Sequence, residues 1–201
     1  MTSIHKVCVY CGSSPGTDPA FVAAATRLGQ LFAEHHIGLV YGGGSPGLMG
    51  ALARSARQHG GEVIGIIPEF LKTKERLFAE ASEIVVTRDM HERKRLMFER
   101  SDAFVALPGG IGTLEELVEQ LTWSQLGRHH KPIVVVNING FWDGLVEVFG
   151  HMNRLGFIHN GGLLAHKVVD DVGEVLPTLF EAADRVPENA KSGALETVRH
   201  M

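Results

Sequence analysis

Cysteine is scarce: of 201 residues, only Cys8 and Cys11 carry a thiol. A structural zinc site needs four ligands, and there is no second cysteine pair to complete one. A redox C-x-x-C would open a helix, whereas "VCVYCGSSPG" passes from a β-rich run into a Gly/Ser/Pro loop. The eleven histidines offer no metal set either. His35-His36 and His129-His130 are adjacent pairs that cannot share one helix face, and no H-E-x-x-H occurs. No metal ligand is expected. Basic tracts are also missing, and 19 Lys and Arg against 23 Asp and Glu leave a formal charge of -4. That balance argues against nucleic acid as a partner, since phosphate backbones are bound through clustered cations. No apolar run approaches the roughly 20 residues that span a bilayer. The opening "MTSIHKVCVYCGSS" places one Lys before a short β-like run, which is not the layout of a secretory signal. A cytoplasmic location away from membranes is the expectation.

What is present is an ordinary globular composition, 44% hydrophobic and 21% charged. The length fits one domain with a substantial core. "KVCVY", "IGLVY", "EVIGII", "EIVVT", "DAFVAL", "PIVVVN" and "HKVVD" read as strands. Between them, helical patterns run over about 19–35, 47–60, 89–101, 113–126, 141–154 and 171–183. Near-continuous Val/Ile/Leu strands imply burial on both faces, as in parallel sheets covered by helices. The alternation predicts an α/β, Rossmann-like doubly wound sheet of about seven mostly parallel strands with helices on both faces. One domain over 1–183 is expected, followed by a flexible tail over 184–201 that lacks apolar periodicity.

Three glycine-bearing loops follow strands: "CGSSPG", "YGGGSPGLMG" and "PGGIGT". In a doubly wound fold all three belong at the carboxyl edge of the sheet, where ligands bind. Gly42, Gly44 and Gly47 match G-x-G-x-x-G, but after the second strand, and Glu69 comes too late to serve as the ribose-binding acid. Neither glycine-rich loop continues into the G-K-[ST] of a Walker A loop. A turn is the ordinary reading of any one such loop. Two that each open a helix in one sheet point to a shared anion site. The loops nominate Gly12, Ser13, Gly43, Gly44, Pro108, Gly109, Gly110, Ile111, Gly112 and Thr113 for it.

In "RDMHERKRLMFERS", a helical projection puts Met90, Arg93, Lys94 and Met97 on one stripe and turns Glu92, Arg95 and Glu99 outward. Cations beside a buried face must snorkel to water or meet an anion. The helix after "PGGIGT" poses the opposite puzzle, because it opens with Glu115 and Glu116 beside an expected phosphate loop. With Thr113 as N-cap, Thr113 and Glu116 form a capping box, which would make Glu116 structural. Alternatively, Glu116 stands off the Leu114, Leu117, Val118 and Leu121 stripe and serves a reacting ligand.

"PGGIGTLEE" fits P-G-G-x-G-T-x-x-E, with "MHERK" and "YGGGSPGLMG" upstream and "TWSQLG" downstream. With these motifs, the chain from Val7 to Asp170 resembles the LOG ("lonely guy") family of cytokinin riboside 5′-monophosphate phosphoribohydrolases, formerly labelled lysine decarboxylase-like. The resemblance implies hydrolysis of the N-glycosidic bond of an adenosine-type 5′-monophosphate, with or without an N6 modification. The products are free base and ribose 5-phosphate. It implies Arg93 and Glu116 as catalytic residues. Lys94, the Gly110–Thr113 loop, Thr122 and Glu75 become substrate-contacting positions, with Met90 and Glu115 beside them. It also implies no cofactor and a homodimer, larger in some members, with the site near the subunit interface.

Three other classes remain, a nicotinamide oxidoreductase being the most distant. A non-catalytic nucleotide carrier or sensor would use the same sheet without turnover. A pyridoxal-phosphate decarboxylase would need a Schiff-base lysine and an acid for the pyridine nitrogen, and no lysine here stands in such a setting.

Overall fold

The computed structural model describes residues 4–73, 76–158 and 166–185. Seven strands form one sheet: β1 (Lys6–Tyr10), β2 (Gly38–Tyr41), β3 (Val63–Pro68), β4 (Glu83–Thr87), β5 (Ala103–Ala106), β6 (Ile133–Val136) and β7 (Lys167–Val169). Their order is β4-β3-β2-β1-β5-β6-β7, and every pairing is parallel. Among the described residues there are six α-helices, the first five lying between strands and the sixth after β7: α1 (Pro19–Glu34), α2 (Gly47–Gln58), α3 (Met90–Glu99), α4 (Ile111–Gln125), α5 (Asp143–Arg154) and α6 (Val175–Asp184).

The two-residue alternation of the strands divides the core. Val7 and Val9 of β1 join a cluster with Leu28 and Phe32 of α1, Leu48 and Leu52 of α2, and Val175 and Leu179 of α6. Cys8 and Tyr10 of the same strand join Met97 and Phe98 of α3 and Leu117 and Leu121 of α4. Local signals set the helix starts. Asp18 caps α1 by accepting the Ala20 N–H at 2.9 Å, with Pro19 in the first turn. Asp89 accepts the Glu92 N–H at 2.8 Å while the Glu92 carboxylate accepts the Arg88 N–H at 2.8 Å, a reciprocal cap for α3. At the sixth helix the chain first makes a 3-10 turn over Val172–Glu174, because the Asp171 side chain accepts the Gly173 N–H at 2.7 Å. The α-helix therefore starts later than residue 171.

Strand order reverses at β1, which lies between β2 and β5. The crevice beyond the carboxyl ends of β1 and β5 is the place where such a sheet binds ligands. All three glycine loops arrive there or beside it. The expected tail lies largely outside the described residues.

Candidate active site

The loops at this crevice are tied together by backbone. The Gly12 N–H donates to the Pro108 carbonyl at 3.0 Å, and the Gly12 carbonyl accepts the Leu48 and Met49 N–H groups at 3.0 and 3.2 Å. A side chain at Gly109 would find the Thr113 hydroxyl at 2.2 Å and the Gly12 nitrogen at 2.9 Å, so glycine alone permits this approach. The result is a cleft of about 250 Å³. It is bounded by the end of β1 with Gly12 and Ser13, by Gly42 and Met49, by Met90 and Arg93 of α3, and by the first turns of α4.

The start of α4 corrects the capping-box expectation. The N-cap is Gly110, in extended backbone, with no side-chain cap, and the Leu114 N–H closes the first helical bond on the Gly110 carbonyl at 3.0 Å. Thr113 is therefore the third residue of the helix and Glu116 the sixth, beyond reach of the first-turn amides. The helix N-terminus with Gly110, Ile111, Gly112 and Thr113 lines the cleft instead. Its first-turn N–H groups and dipole suit an anion there. Ile111 stands 82% exposed at the rim.

Glu116 and Arg93 meet across the cleft wall. They are 9% and 6% exposed, and Arg93 Nη2 lies 3.7 Å from Glu116 Oε1, an ion-pair contact. Arg93 Nε donates to the Ile66 carbonyl at 3.2 Å, and Nη1 lies 3.8 Å from Met90 Sδ. The buried cation thus meets an anion, and the anion is a protein carboxylate. Lys94 meets two: its Nζ donates to Glu115 at 2.5 Å and to Glu119 at 2.9 Å. Burial disfavours its charge, but the two carboxylates outweigh that and raise its pKa. Lys94 therefore latches α3 to α4 outside the cleft lining, while Glu115 sits on the rim.

The remaining nominees divide. Pro108 and Gly109 line a second hollow of about 230 Å³ with Phe21 and Phe141, behind a ridge of Gly12, Ser13 and Gly110. Gly43 and Gly44 are occupied in pairing: the Gly43 carbonyl accepts the Phe78 N–H at 3.0 Å, and Gly44 bridges Leu77. Thr122 lies on the exposed face of α4, its hydroxyl donating to the Val118 carbonyl at 2.8 Å. Glu75 lies outside the described residues. Tyr10, Cys11, Gly42 and Met49 line the cleft without having been nominated from sequence. The strand-end position of Tyr10 and Cys11 and the helix-opening position of Met49 were the available signals. Cys8 and Cys11 are free and buried, and burial pushes both thiols up, so neither is a ready nucleophile. Among the described residues no group of three or more His, Cys, Asp or Glu could hold a metal ion.

The family model described as "possible lysine decarboxylase" matches residues 49–179. A probable cytokinin riboside 5′-monophosphate phosphoribohydrolase, LOG4 of Oryza sativa subsp. japonica, is 43% identical over 180 residues, covering 90% of this chain and 78% of its own. Cytokinin riboside 5′-monophosphate phosphoribohydrolase LOG7 of Arabidopsis thaliana is 44% identical, covering 76% and 70%. The chain belongs to the LOG family. The Arg93–Glu116 pair and the α4 N-terminus fall inside the matched span. Among solved structures, the molybdenum cofactor carrier protein of Chlamydomonas reinhardtii aligns with a TM-score of 0.67 at 22% identity, over 91% of this chain and 100% of its own. DNA processing protein A of Helicobacter pylori aligns at 0.59 and 15%, over 88% and 80%. At these identities the likeness establishes the fold and nothing about ligands.

Proposed function

We propose that the protein hydrolyses the N-glycosidic bond of adenosine 5′-monophosphate or an N6-modified analogue, releasing free base and ribose 5-phosphate. The observation that carries this reading is the pairing, in one cleft, of a buried carboxylate with a helix N-terminus built for an anion. The curated LOG relatives, named for this reaction, support it.

Breaking the bond between C1′ and the base nitrogen develops oxocarbenium-like positive charge on the sugar. Glu116, in the cleft wall, is suited to stabilise that charge or to take a proton from the attacking water. The water oxygen bonds to C1′, and the base nitrogen leaves with the bonding pair and is protonated. Arg93, fixed by the Ile66 carbonyl, orients Glu116 or the ribose-phosphate. The 5′-phosphate, several bonds from C1′, fits the N–H groups at the start of α4. The acids beside the phosphate loop thereby find their use: one substrate calls for both.

The reading extends to a cytoplasmic homodimer with the cleft near the subunit interface. Ile111 and Val118 of α4 and Leu126, its C-cap, are exposed at spacings that share a face with Thr122. Apolar side chains of this kind, starting at the cleft rim, suit a second copy, which would bring Thr122 close to a bound substrate. Incubating the protein with AMP tests the function. The expected result is adenine and ribose 5-phosphate in equal amounts; saturable AMP binding with no base released would make the protein a carrier.

A further inference from the structure

Gly42 is the first residue beyond β2 and part of the cleft wall. A Cβ placed there would stand 2.3 Å from Arg93 Nη2 and 3.5 Å from its Cζ, with Met49 Sδ at 3.1 Å. The guanidinium therefore occupies the space that any side chain at this position would take. It has little freedom to leave, since Nε is bonded to the Ile66 carbonyl of β3 at 3.2 Å and Nη2 faces Glu116 at 3.7 Å. The backbone of Gly42 is not in the left-handed region, unlike that of Gly43 or Gly47. An alanine would thus be tolerated by the main chain and opposed only by what lies in front of it. We propose that Gly42 is a positioning residue: its missing side chain is the socket that holds the Arg93 guanidinium against Glu116. The constraint at Gly42 is steric and serves the catalytic pair, whereas Gly43 has left-handed backbone and pairs with Phe78 through its carbonyl, and Gly44 bridges Leu77.

The proposal rests on the phosphoribohydrolase reading for its kinetic consequence, but the socket itself can be read without turnover. Non-bonded carbon and nitrogen rest at about 3.5 Å, so Gly42→Ala must displace the guanidinium by roughly an ångström. A misplacement of about 1 Å in a catalytic arrangement costs on the order of 100-fold in rate. The experiment measures kcat, KM for AMP and thermal midpoint for wild type, Gly42→Ala, Arg93→Ala and the double variant, alongside crystal structures of wild type and Gly42→Ala. The expected result is a Gly42→Ala protein that melts close to wild type, with kcat down about 100-fold and KM little changed. The double variant should be no slower than Arg93→Ala, because the methyl acts only through Arg93. Full activity in Gly42→Ala, or multiplicative losses in the double variant, overturns the proposal. Should wild type prove inactive on AMP, the functional reading fails separately and the crystal structures still decide. A guanidinium that stays in place in the Gly42→Ala structure defeats the socket, and a displaced one upholds it.

Discussion

Glu116 and Arg93 have separable roles under conservative substitution. Glu116→Gln keeps the shape of a side chain that is sixth in α4 rather than at its N-cap box position, and Arg93 retains its bond to the Ile66 carbonyl. An amide can neither accept a proton from water nor offset developing positive charge, so kcat should fall by about 100-fold or more. The thermal midpoint should move little by comparison; a variant that loses stability while keeping its specific activity would return Glu116 to a structural role. Arg93→Lys retains the charge but loses the planar fork that reaches Ile66 and Glu116 together. Its turnover should drop by about 100-fold with the protein still folded, and near-normal turnover would show that any cation suffices at this position. The burial of Arg93 and the place of Glu116 beside the glycine loop were legible in the sequence, one as a cation on a buried stripe and the other as an acid in the first turns of the helix that follows. Of the two alternatives open for Glu116, the capping box fails for a physical reason: T-x-x-E is a local pattern, whereas the start of α4 is set by the extended backbone of Gly110. Gly42 and Met49 went unnominated although both lie on or just after the loop that follows β2, because a glycine there reads as a turn and a methionine opening a helix reads as core.

Among the elements, the strands were the easiest to read, since β-branched runs between glycine turns have few alternatives in an α/β chain. What holds α3, α4 and β5 in mutual register was not legible. His129, just after α4, packs its ring against Phe98 of α3 and Phe104 of β5, with centroids 5.4 and 5.7 Å away. Its Nε2 lies 3.1 Å from the Gln120 carbonyl, and Nδ1 accepts the Lys131 N–H at 3.1 Å. Only the neutral ring protonated on Nε2 satisfies both contacts. Burial is the main reason that its pKa falls from 6.5 to about 4, with Lys131 and His130 adding to the effect. The folded-state pKa lies below the unfolded one, so the unfolded chain binds the proton first as pH falls. Stability is therefore lost between about pH 6.5 and pH 4. From pH 7 to pH 5 this linkage removes about 2 kcal/mol. Denaturant unfolding at the two pH values should show that loss in wild type and a smaller one in His129→Gln, which keeps a donor and an acceptor without titrating. Equal slopes for the two proteins would place the acid sensitivity elsewhere.

At the scale of the whole molecule, α5 is amphipathic yet has no buried residue. Leu145 and Phe149 touch the core partly, while Val148, Met152 and Leu155 are exposed at helical spacing and Phe157 follows, 76% exposed. The sequence announced a helix here but could not show that its apolar face lacks cover among the described residues. If a second copy covers it, Leu155→Glu should halve the mass measured by light scattering, and a variant as large as wild type would remove α5 from the interface. The cleft has two ends, the start of α4 suited to a phosphate and Glu116 suited to the sugar carbon. Binding energy from the remote phosphate can orient the ribose in the transition state, so its absence should lower kcat as well as raise KM. Charge-assisted contacts contribute about 1.5–3 kcal/mol each, and two or three give at least a thousandfold preference. The decisive measurement is release of free base from adenosine, AMP and ADP at equal concentration. AMP should be cleaved, adenosine at least about a thousandfold more slowly, and ADP more slowly than AMP because the anion site takes a terminal monoester. Comparable rates for adenosine and AMP would mean that the start of α4 holds no phosphate and that the protein is not a 5′-monophosphate phosphoribohydrolase.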